Sequence, residues 1–288
     1  MKSQSKPKAF LQSLRRPAVA AAAFGALMIV GTMLFSARHW FSFISLEGLF
    51  IVVGGVIAVA FMSFQAKDVW AALYAIRDML KEPRVTHDNL HHDMIRILAW
   101  ARLYKEKGAR GLEASIGASG LNDPFVKYGL NMVVSNYKPE EVRIMMETAA
   151  ESFYERDTVP AHILQSMASH APAFGMIGTL IGMVAMLYNL GDNVTGIGSG
   201  LAVAFLSTFY GVVTARMVYM PAAARILQQQ ESLRFRNYLI TEGMVLLVEN
   251  KSSAYIQDRL NSFLRPEIHD NVSIEALNRA LLPRLRTV

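Results

Sequence analysis

The fold of this chain is decided by the stretch from Ala171 to Pro221, which reads APAFGMIGTLIGMVAMLYNLGDNVTGIGSGLAVAFLSTFYGVVTARMVYMP. A short glycine-rich turn joins two apolar runs, and each run approaches the ~20 residues that a helix needs to cross a bilayer. Asp192, in the turn, is the only acidic residue of the stretch. The pattern predicts a hairpin of two membrane-spanning helices, the third and fourth spans of the chain.

Hydroxyl side chains fall at membrane depth in both runs of this hairpin. Thr179 belongs to the first run, and Ser207, Thr208 and Tyr210 belong to the second, among glycines that allow helices to approach closely. One interpretation is that these hydroxyls line an ion path. The alternative is that each threonine only bonds back to the backbone of its own helix.

Glycines recur at spacings that favour close helix packing. Gly175, Gly178 and Gly182 share one face of the third span, and Gly54 and Gly55 are adjacent in an earlier apolar run. Such small-residue faces let two helix backbones approach. We interpret both sets as packing surfaces rather than binding sites.

Composition supports an integral membrane protein with a sizeable aqueous part. Of the 288 residues, 52% are hydrophobic and only 18% are charged. The absence of cysteine excludes disulfides, iron–sulfur clusters and thiolate zinc sites. The net charge of +6 does not indicate nucleic-acid binding, because no basic stripe is interleaved with aromatics, and it fits positively charged cytoplasmic segments instead.

Two more apolar runs precede the hairpin. The run from Pro17 to Ser36 is too long for a secretory signal and predicts a retained first span. Its basic leader should stay in the cytoplasm, which makes Ala37 to Ser45 an external link and sends the second span, Leu46 to Phe64, inward. The predicted domains are a basic tail 1–16, spans one and two in 17–64, a cytoplasmic helical domain 65–170, the hairpin 171–221, and cytoplasmic C-terminal helices and tail 222–288.

The cytoplasmic parts are predicted to be helical. Apolar positions recur with helical spacing at 69–76 and 94–101, Asp123-Pro124 is typical of a turn, and Pro139 with two following glutamates is typical of a helix start. Beyond Pro221 an apolar stripe predicts an amphipathic helix that continues the fourth span, followed by a shorter helix at about 253–264. The stripe consists of Ile226, Leu233, Ile240, Met244 and Leu247.

Helix ends are predicted from prolines. Pro172 should begin the third span, because a missing N–H costs little in the first turn of a helix. The fourth span should run from about Gly198 to Met220 and meet Pro221 at its inner end.

The predicted spans lack a carboxylate at membrane depth, since Glu47 lies at the external edge. Moving a cation through hydrocarbon normally requires an anionic or titratable group. If this chain conducts a cation, a partner helix must supply that carboxylate. We expect no resident metal either: His87, His91 and His92 include an i, i+4 pair, but no third ligand is evident.

Taken together, these residues closely resemble the MotA/PomA family, the four-helix stator subunit of the bacterial flagellar motor. The resemblance is strongest in IVVGGVIAV of the second span, APAFGMIGTLIGMVAML at 171–187 and AVAFLSTFYGVVTARMVYMP at 202–221. The related TolQ and ExbB energisers have one helix before their large cytoplasmic region. This chain has two, which favours the flagellar stator.

The resemblance implies roles for individual residues. Thr208 matches the family's channel-facing threonine and Thr179 a variable polar position, while Pro172 and Pro221 match two prolines that couple the channel to the cytoplasmic domain. The run from Lys105 to Glu113 resembles the charged segment that meets the rotor protein FliG. Glu113 falls on its acidic position, Lys105 replaces the usual arginine, and Arg102 and Arg110 are nearby arginines that would substitute.

The resemblance also implies partners. A MotB/PomB-type subunit would contribute one transmembrane helix with an ion-binding aspartate, and a pentamer of the present chain would surround two such helices in lipid. The unit would be a non-enzymatic torque generator of the bacterial inner membrane, with both termini cytoplasmic and no cofactor beyond a coupling ion, H⁺ or Na⁺. The rivals are a TolQ/ExbB-type energiser of outer-membrane processes and a membrane scaffold without ion flux.

Overall fold

The computed structural model describes residues 24–25, 27–28, 31, 44–78, 87–119, 123–188 and 194–263. Within these ranges the chain is helical and contains no strand, which confirms the all-α prediction. The helices are α1 (Leu46–Ser63), α2 (Ala66–Asp78), α3 (His87–Ser119), α4 (Pro124–Val134), α5 (Pro139–Tyr188), α6 (Val194–Val213), α7 (Met220–Val248) and α8 (Ser253–Asn261).

The chain divides into two compact units. The first comprises residues 1–82 and 158–227, and the second comprises residues 83–157 and 228–288. Helices α5 and α7 therefore contribute residues to both units. The domain boundaries predicted from the sequence remain a prediction.

Three segments of the described chain are long and apolar enough to cross a membrane. They are α1, a part of α5, and a part of the continuous helical segment that begins in α6. The first predicted span, Pro17 to Ser36, falls outside the described residues except at a few positions, so the four-span count remains a prediction.

Pro172 does not begin a helix, contrary to the sequence prediction. Helix α5 begins at Pro139 and continues through both Pro160 and Pro172 to Tyr188. The turns before Pro172 are part of a packed core, in which Leu164, Met167 and Ala171 are buried. That packing holds the helix on both sides of a residue that has no N–H to donate.

The fourth predicted span also lacks the expected ends. Helix α6 begins at Val194 rather than Gly198, and the chain passes through a π-helical segment, Thr214–Tyr219, directly into α7. The amide of Met220 donates to the carbonyl of Ala215, five residues earlier. The helical bonding pattern has therefore already shifted by one residue just before Pro221, which explains how the helix accommodates a residue that breaks the regular ladder.

The second unit has its own apolar core, built from α3, α4, α8 and the parts of α5 and α7 assigned to it. Leu98, Leu130, Met146, Leu239 and Met244 are among its fully buried side chains. The helix predicted beyond Pro221 is confirmed, since Ile240, Met244 and Leu247 of its stripe are buried.

Short polar segments set the helix starts in this unit. The Asp123 carboxylate accepts from the amides of Phe125 and Val126 at 3.0 and 3.3 Å and caps α4, with Pro124 in its first turn. Asp123-Pro124 thus begins a helix. The helix start predicted at Pro139 is confirmed, with Glu140 and Glu141 in its first turn.

Candidate functional site

The predicted hydroxyl residues of the two hairpin helices meet around one backbone oxygen. The Oγ1 atoms of Thr179 on α5 and Thr208 on α6 are 3.3 Å apart. The hydroxyls of Thr179, Ser207 and Thr208 donate to the carbonyl oxygen of Gly175 at 3.0, 3.3 and 3.4 Å respectively. We call this set, with the Gly175 carbonyl, the oxygen cluster.

The members of the oxygen cluster differ in exposure. Ser207 is completely buried, and its hydroxyl also donates to the carbonyl of Ala204 at 2.9 Å. Thr179 is half-buried and Thr208 is exposed. The accessible side of the cluster is therefore formed by the threonines, while Ser207 lies in the contact between α5 and α6.

Glycines explain why hydroxyls of one helix reach a carbonyl of the other. A Cβ added to Gly182 would lie 2.6 Å from the amide nitrogen of Ala204, and one added to Gly211 would lie 2.6 Å from the carbonyl oxygen of Ala171. A Cβ at Gly178 would collide with the side chain of Ser207. The packing face predicted from Gly175, Gly178 and Gly182 is confirmed. Its counterpart on α6, which also includes Gly200, was not identified from the sequence.

Helix α1 packs against the same region of α6. Ser45 caps α1 through its hydroxyl, which accepts from the amide of Gly48 at 3.2 Å, while its own amide donates to the phenolic oxygen of Tyr210 at 2.9 Å. A Cβ on Gly48 would lie 3.4 Å from the backbone nitrogen of Ser207. Of the adjacent glycines in α1, Gly55 faces the ring of Phe174, whereas a Cβ at Gly54 would meet only the ring of its own helix's Phe50.

The chemistry of the cluster is that of neutral oxygen ligands. No aspartate or glutamate occurs in the sequence from 158 to 191 or from 193 to 230. Hydroxyl and carbonyl oxygens can solvate a cation or orient water, but they do not become negatively charged near neutral pH. The cluster can therefore form one wall of an ion path and still requires a carboxylate from elsewhere.

The prolines flank this region along the chain. Pro172 is half-buried and lies three residues before Gly175, and Pro221 is exposed and follows the π-helical segment. The chain stays helical through both residues, whereas the sequence predicted that the third span begins at Pro172 and that the fourth ends at Pro221. Their coupling role remains a prediction.

The predicted rotor-contacting residues lie on α3. Gly108 breaks that helix with φ 64° and ψ −163°, a conformation essentially restricted to glycine. Lys105, Arg110 and Glu113 are exposed on either side of the break, whereas Arg102 pairs with Glu106 at 3.0 Å. On the same helix, the rings of His91 and His92 are 6.5 Å apart.

Charge clusters in the second unit were not identified from the sequence. Arg236 donates to Asp93 at 2.5 Å and to Asp123 at 2.7 Å. Burial opposes the charge of Arg236, but the hydrogen bonds to both aspartates outweigh it and raise its pKa. Because Asp123 also caps α4, this cluster ties three helices together.

Another charge cluster is centred on Glu242, which is 5% exposed. Arg143 and Arg259 donate to its two carboxylate oxygens at 2.6 and 2.8 Å. Burial favours the neutral acid, but the two arginines outweigh it and hold the pKa of Glu242 below its ordinary value. The members are up to 99 residues apart in sequence, so no local motif could have identified them.

Comparison with known proteins shows consistent similarity. A sequence model of the MotA/TolQ/ExbB proton channel family matches residues 118–236. The protein YtxD of Bacillus subtilis is 30% identical over 239 residues, which are 82% of this chain and 85% of that protein. Motility protein A of Aquifex aeolicus is 31% identical over 188 residues, covering 64% of this chain and 71% of the relative.

The fold is similar to that of a solved structure. A chain of the flagellar MotAB stator complex from Bacillus subtilis superimposes with a TM-score of 0.74 at 24% identity, covering 87% of this chain and 95% of that chain. At this identity the likeness concerns the fold.

Proposed function

This chain belongs to the motility protein A family, within the MotA/TolQ/ExbB proton channel family, and on that premise we propose how its oxygen cluster works. The protein is a stator subunit of the flagellar motor and acts with a MotB-type partner in the inner membrane. It conducts protons or sodium ions with that partner and converts the flow into torque on the rotor.

The observation that carries this function is the Thr179–Thr208 pair in a hairpin that contains no acid at membrane depth. Two hydroxyls and a carbonyl oxygen on closely packed helices offer polar ligands where lipid offers none. The missing carboxylate is supplied by the aspartate of the B-type helix. Protonation or sodium binding there neutralises the aspartate as it passes the threonines.

The topology we propose has four spans with both termini in the cytoplasm. Residues 65–170 and 222–288 form the cytoplasmic part, and five copies of the chain surround two B-type helices. Pro172 and Pro221 transmit the event in the membrane to that part, since each lies where a long helix departs from regular bonding. The exposed charges of Lys105, Arg110 and Glu113 on α3 meet the rotor protein FliG, with Arg102 near them.

Contacts of this kind suit a moving partner. The exposed charges on α3 are of both signs and lie in solvent. Their electrostatic attraction to the rotor protein is therefore modest and is screened within about 8 Å at physiological salt. Brief contacts of that strength let a subunit push the rotor and release it.

The TolQ/ExbB alternative is less favoured, because curated relatives that carry functional names are motility proteins and the fold matches a flagellar stator chain. The torque measurement described next distinguishes the proposed function from a membrane scaffold without ion flux.

The test replaces Thr208 by valine and measures the torque of tethered cells at matched membrane levels of the protein. Thr208→Val keeps the side-chain shape but removes the hydroxyl that meets Thr179, and we expect torque under load to fall at least several-fold. Thr148→Val is the matched control, because that hydroxyl donates to the carbonyl of Ile144 in its own helix at 2.8 Å and lies outside both the oxygen cluster and the π-helical segment. Unchanged torque in Thr208→Val would leave the scaffold as the better explanation.

A further inference from the structure

The outward face of α2 carries an ordered stripe of cations and aromatic rings. Lys67, Trp70, Tyr74 and Arg77 follow one another at spacings of three, four and three residues, which places them on one side of a helix. Trp70 is 53% exposed and Tyr74 is 66% exposed, and the two cations are exposed as well. We call these four residues the α2 stripe.

Packing on the opposite face of α2 determines that the α2 stripe faces outward. Val69 and Ala72 are fully buried, and Leu73 and Ile76 pack against the same apolar core as Leu164 of α5. Rotating α2 to bury its aromatic rings would bring these aliphatic side chains to the surface. The exposure of the α2 stripe therefore follows from the core of the first unit.

The stripe continues directly from a membrane span. Helix α1 ends at Ser63, Phe64 is extended with φ −131° and ψ 163°, and α2 begins at Ala66. Across this break the ring of Phe61 meets that of Trp70 edge-on at 5.9 Å, and Trp70 in turn lies 6.4 Å from Tyr74. One ladder of aromatic rings thus starts on α1 and runs along α2.

We propose that the α2 stripe binds the phospholipid headgroup layer of the cytoplasmic leaflet and anchors the first unit there. Indole and phenol rings have an apolar body and a polar edge, and they concentrate at the level of the headgroups. Lys67 and Arg77 bracket the rings and place two cations where phosphate groups lie. Helix α2 also carries two acids, each adjacent in sequence to one cation of the stripe: Asp68, which is half-buried, follows Lys67, and Asp78 follows Arg77.

Lipid is the occupant that the composition of the stripe favours. A face that packs against a second protein chain in the membrane is usually made of small or aliphatic side chains, because it excludes water and headgroups alike. The α2 stripe instead alternates cations with amphipathic rings and adjoins Met62, which is 86% exposed at the end of α1. This inference rests on the membrane location in the proposed function, but not on ion flow or torque.

The chain contains no cysteine, so a single introduced cysteine can carry a spin label. Ala71 is exposed and lies between Lys67 and Tyr74 on the same face, so Ala71→Cys probes the stripe without removing any of its four side chains. Ile144→Cys, at a 65% exposed position of the second unit, is the control. The labelled chain is assembled with a cysteine-free partner subunit in vesicles of phosphatidylethanolamine and phosphatidylglycerol.

The measurement compares collisions of each label with oxygen, which concentrates in the bilayer, and with a water-soluble nickel chelate. We expect the ratio of oxygen to nickel accessibility to be several-fold higher at position 71 than at position 144, at a value typical of the headgroup region. Adding Lys67→Gln and Arg77→Gln should shift the position 71 label toward water, and more strongly in vesicles rich in phosphatidylglycerol.

Two results would overturn the inference. Equal ratios at positions 71 and 144 would place the stripe in water, and protection of position 71 from both reagents would show that another protein chain covers it. Because neither measurement uses motility, failure here leaves the Thr208→Val test unaffected.

Discussion

Three hydroxyl groups converge on the carbonyl oxygen of Gly175. A threonine in an apolar helix can bond back to its own helix or present its hydroxyl to a neighbouring helix, and Thr179 does both. Thr179 bonds back to its own helix, as isolated threonines usually do, and the same hydroxyl meets Thr208 of the neighbouring helix. Back-bonding fixes the rotamer of Thr179 and so orients the two lone pairs of its oxygen. A hydroxyl held in this way is a better ligand than a mobile one.

At the residue scale, Glu242→Gln should destabilise the second unit. The substitution leaves two arginines without the charged acceptor that now joins them, and hydrogen bonds to charged groups contribute about 1.5–3 kcal/mol each. We expect the urea unfolding midpoint of the purified protein, followed by circular dichroism, to fall. Glu249→Gln is the matched control, because Glu249 pairs with Lys251 near the surface at 3.6 Å. Equal effects of the two substitutions would contradict the prediction.

The same carboxylate predicts a pH dependence. The pKa of Glu242 is lower in the folded than in the unfolded protein, because its two arginines outweigh its burial. Its contribution to stability is therefore complete above the unfolded pKa of about 4.3 and is lost as the pH falls through the folded value. Unfolding midpoints measured from pH 6 downward should fall less steeply in Glu242→Gln than in the wild type, and parallel curves would exclude this role.

At the element scale, the contact between α5 and α6 depends on residues that have no side chain. The glycines bring the backbones so close that a Cβ on Gly200 would lie 2.8 Å from the carbonyl oxygen of Gly182. In lipid, such close packing substitutes for the hydrophobic effect that joins helices in water.

Gly182→Ala should therefore separate α5 from α6 and disturb the oxygen cluster. The added methyl would meet backbone atoms of Ala204 and Gly200, which cannot rotate away. We expect a lower melting temperature of the purified complex and reduced motility. Gly198→Ala is the control on α6, since no atom lies within 4 Å of its added Cβ. Comparable losses in both variants would show that the contact tolerates a methyl group.

The helices continue through Pro172 and Pro221, so a change on one side of either proline can be passed along a continuous helix. Replacing Pro221 by alanine restores an N–H and substitutes the best helix former for the poorest, so the protein should be at least as stable. If Pro221 and the π-helical segment Thr214–Tyr219 pass the event in the membrane to the second unit, the torque of Pro221→Ala should nevertheless fall. Pro160→Ala is the control, since Pro160 also lies inside a long helix, α5, and this variant should retain torque. Wild-type torque in Pro221→Ala would contradict the coupling role.

At the scale of the whole molecule, the two hairpin helices contain no aspartate or glutamate in the residues 158–188 and 194–230. An ion that crosses hydrocarbon without a compensating charge pays several kcal/mol, and hydroxyls alone do not offset that cost. In the function proposed above, the B-type subunit supplies that charge, and the assembly rather than the single chain is the conducting unit.

Vesicles that contain this chain alone should therefore show no more H⁺ or Na⁺ flux than empty vesicles, measured with entrapped pH- and sodium-sensitive dyes. Vesicles that contain the complex with an active B-type subunit should show flux of one of these ions, and varying sodium at fixed pH identifies which. A partner whose membrane aspartate is replaced by asparagine is the control. Flux through this chain alone would contradict the prediction.

The sequence by itself determined the helical class, the two apolar runs of the hairpin and the hydroxyl side chains they carry, and it predicts that a carboxylate must come from a partner. These properties depend on composition and on local periodicity. An apolar helix that is long enough to cross the hydrocarbon core is stable in a bilayer whatever the rest of the fold does, so a local stretch of sequence suffices to predict it. The packing face of α5 was predictable for the same reason, since the spacing of Gly175, Gly178 and Gly182 follows from the pitch of one helix.

Only the tertiary structure decided where the helices end and which polar groups meet. Pro172 and Pro221 indicated helix ends because a proline disrupts the bonding of an isolated helix, yet packing on both sides and a π-helical turn carry the chain through them. The convergence on Gly175 and the pairing of Arg143 with Glu242 join residues 32 and 99 positions apart. Such contacts depend on how close two helices come, and that distance is set by packing across the fold rather than by any one stretch of sequence.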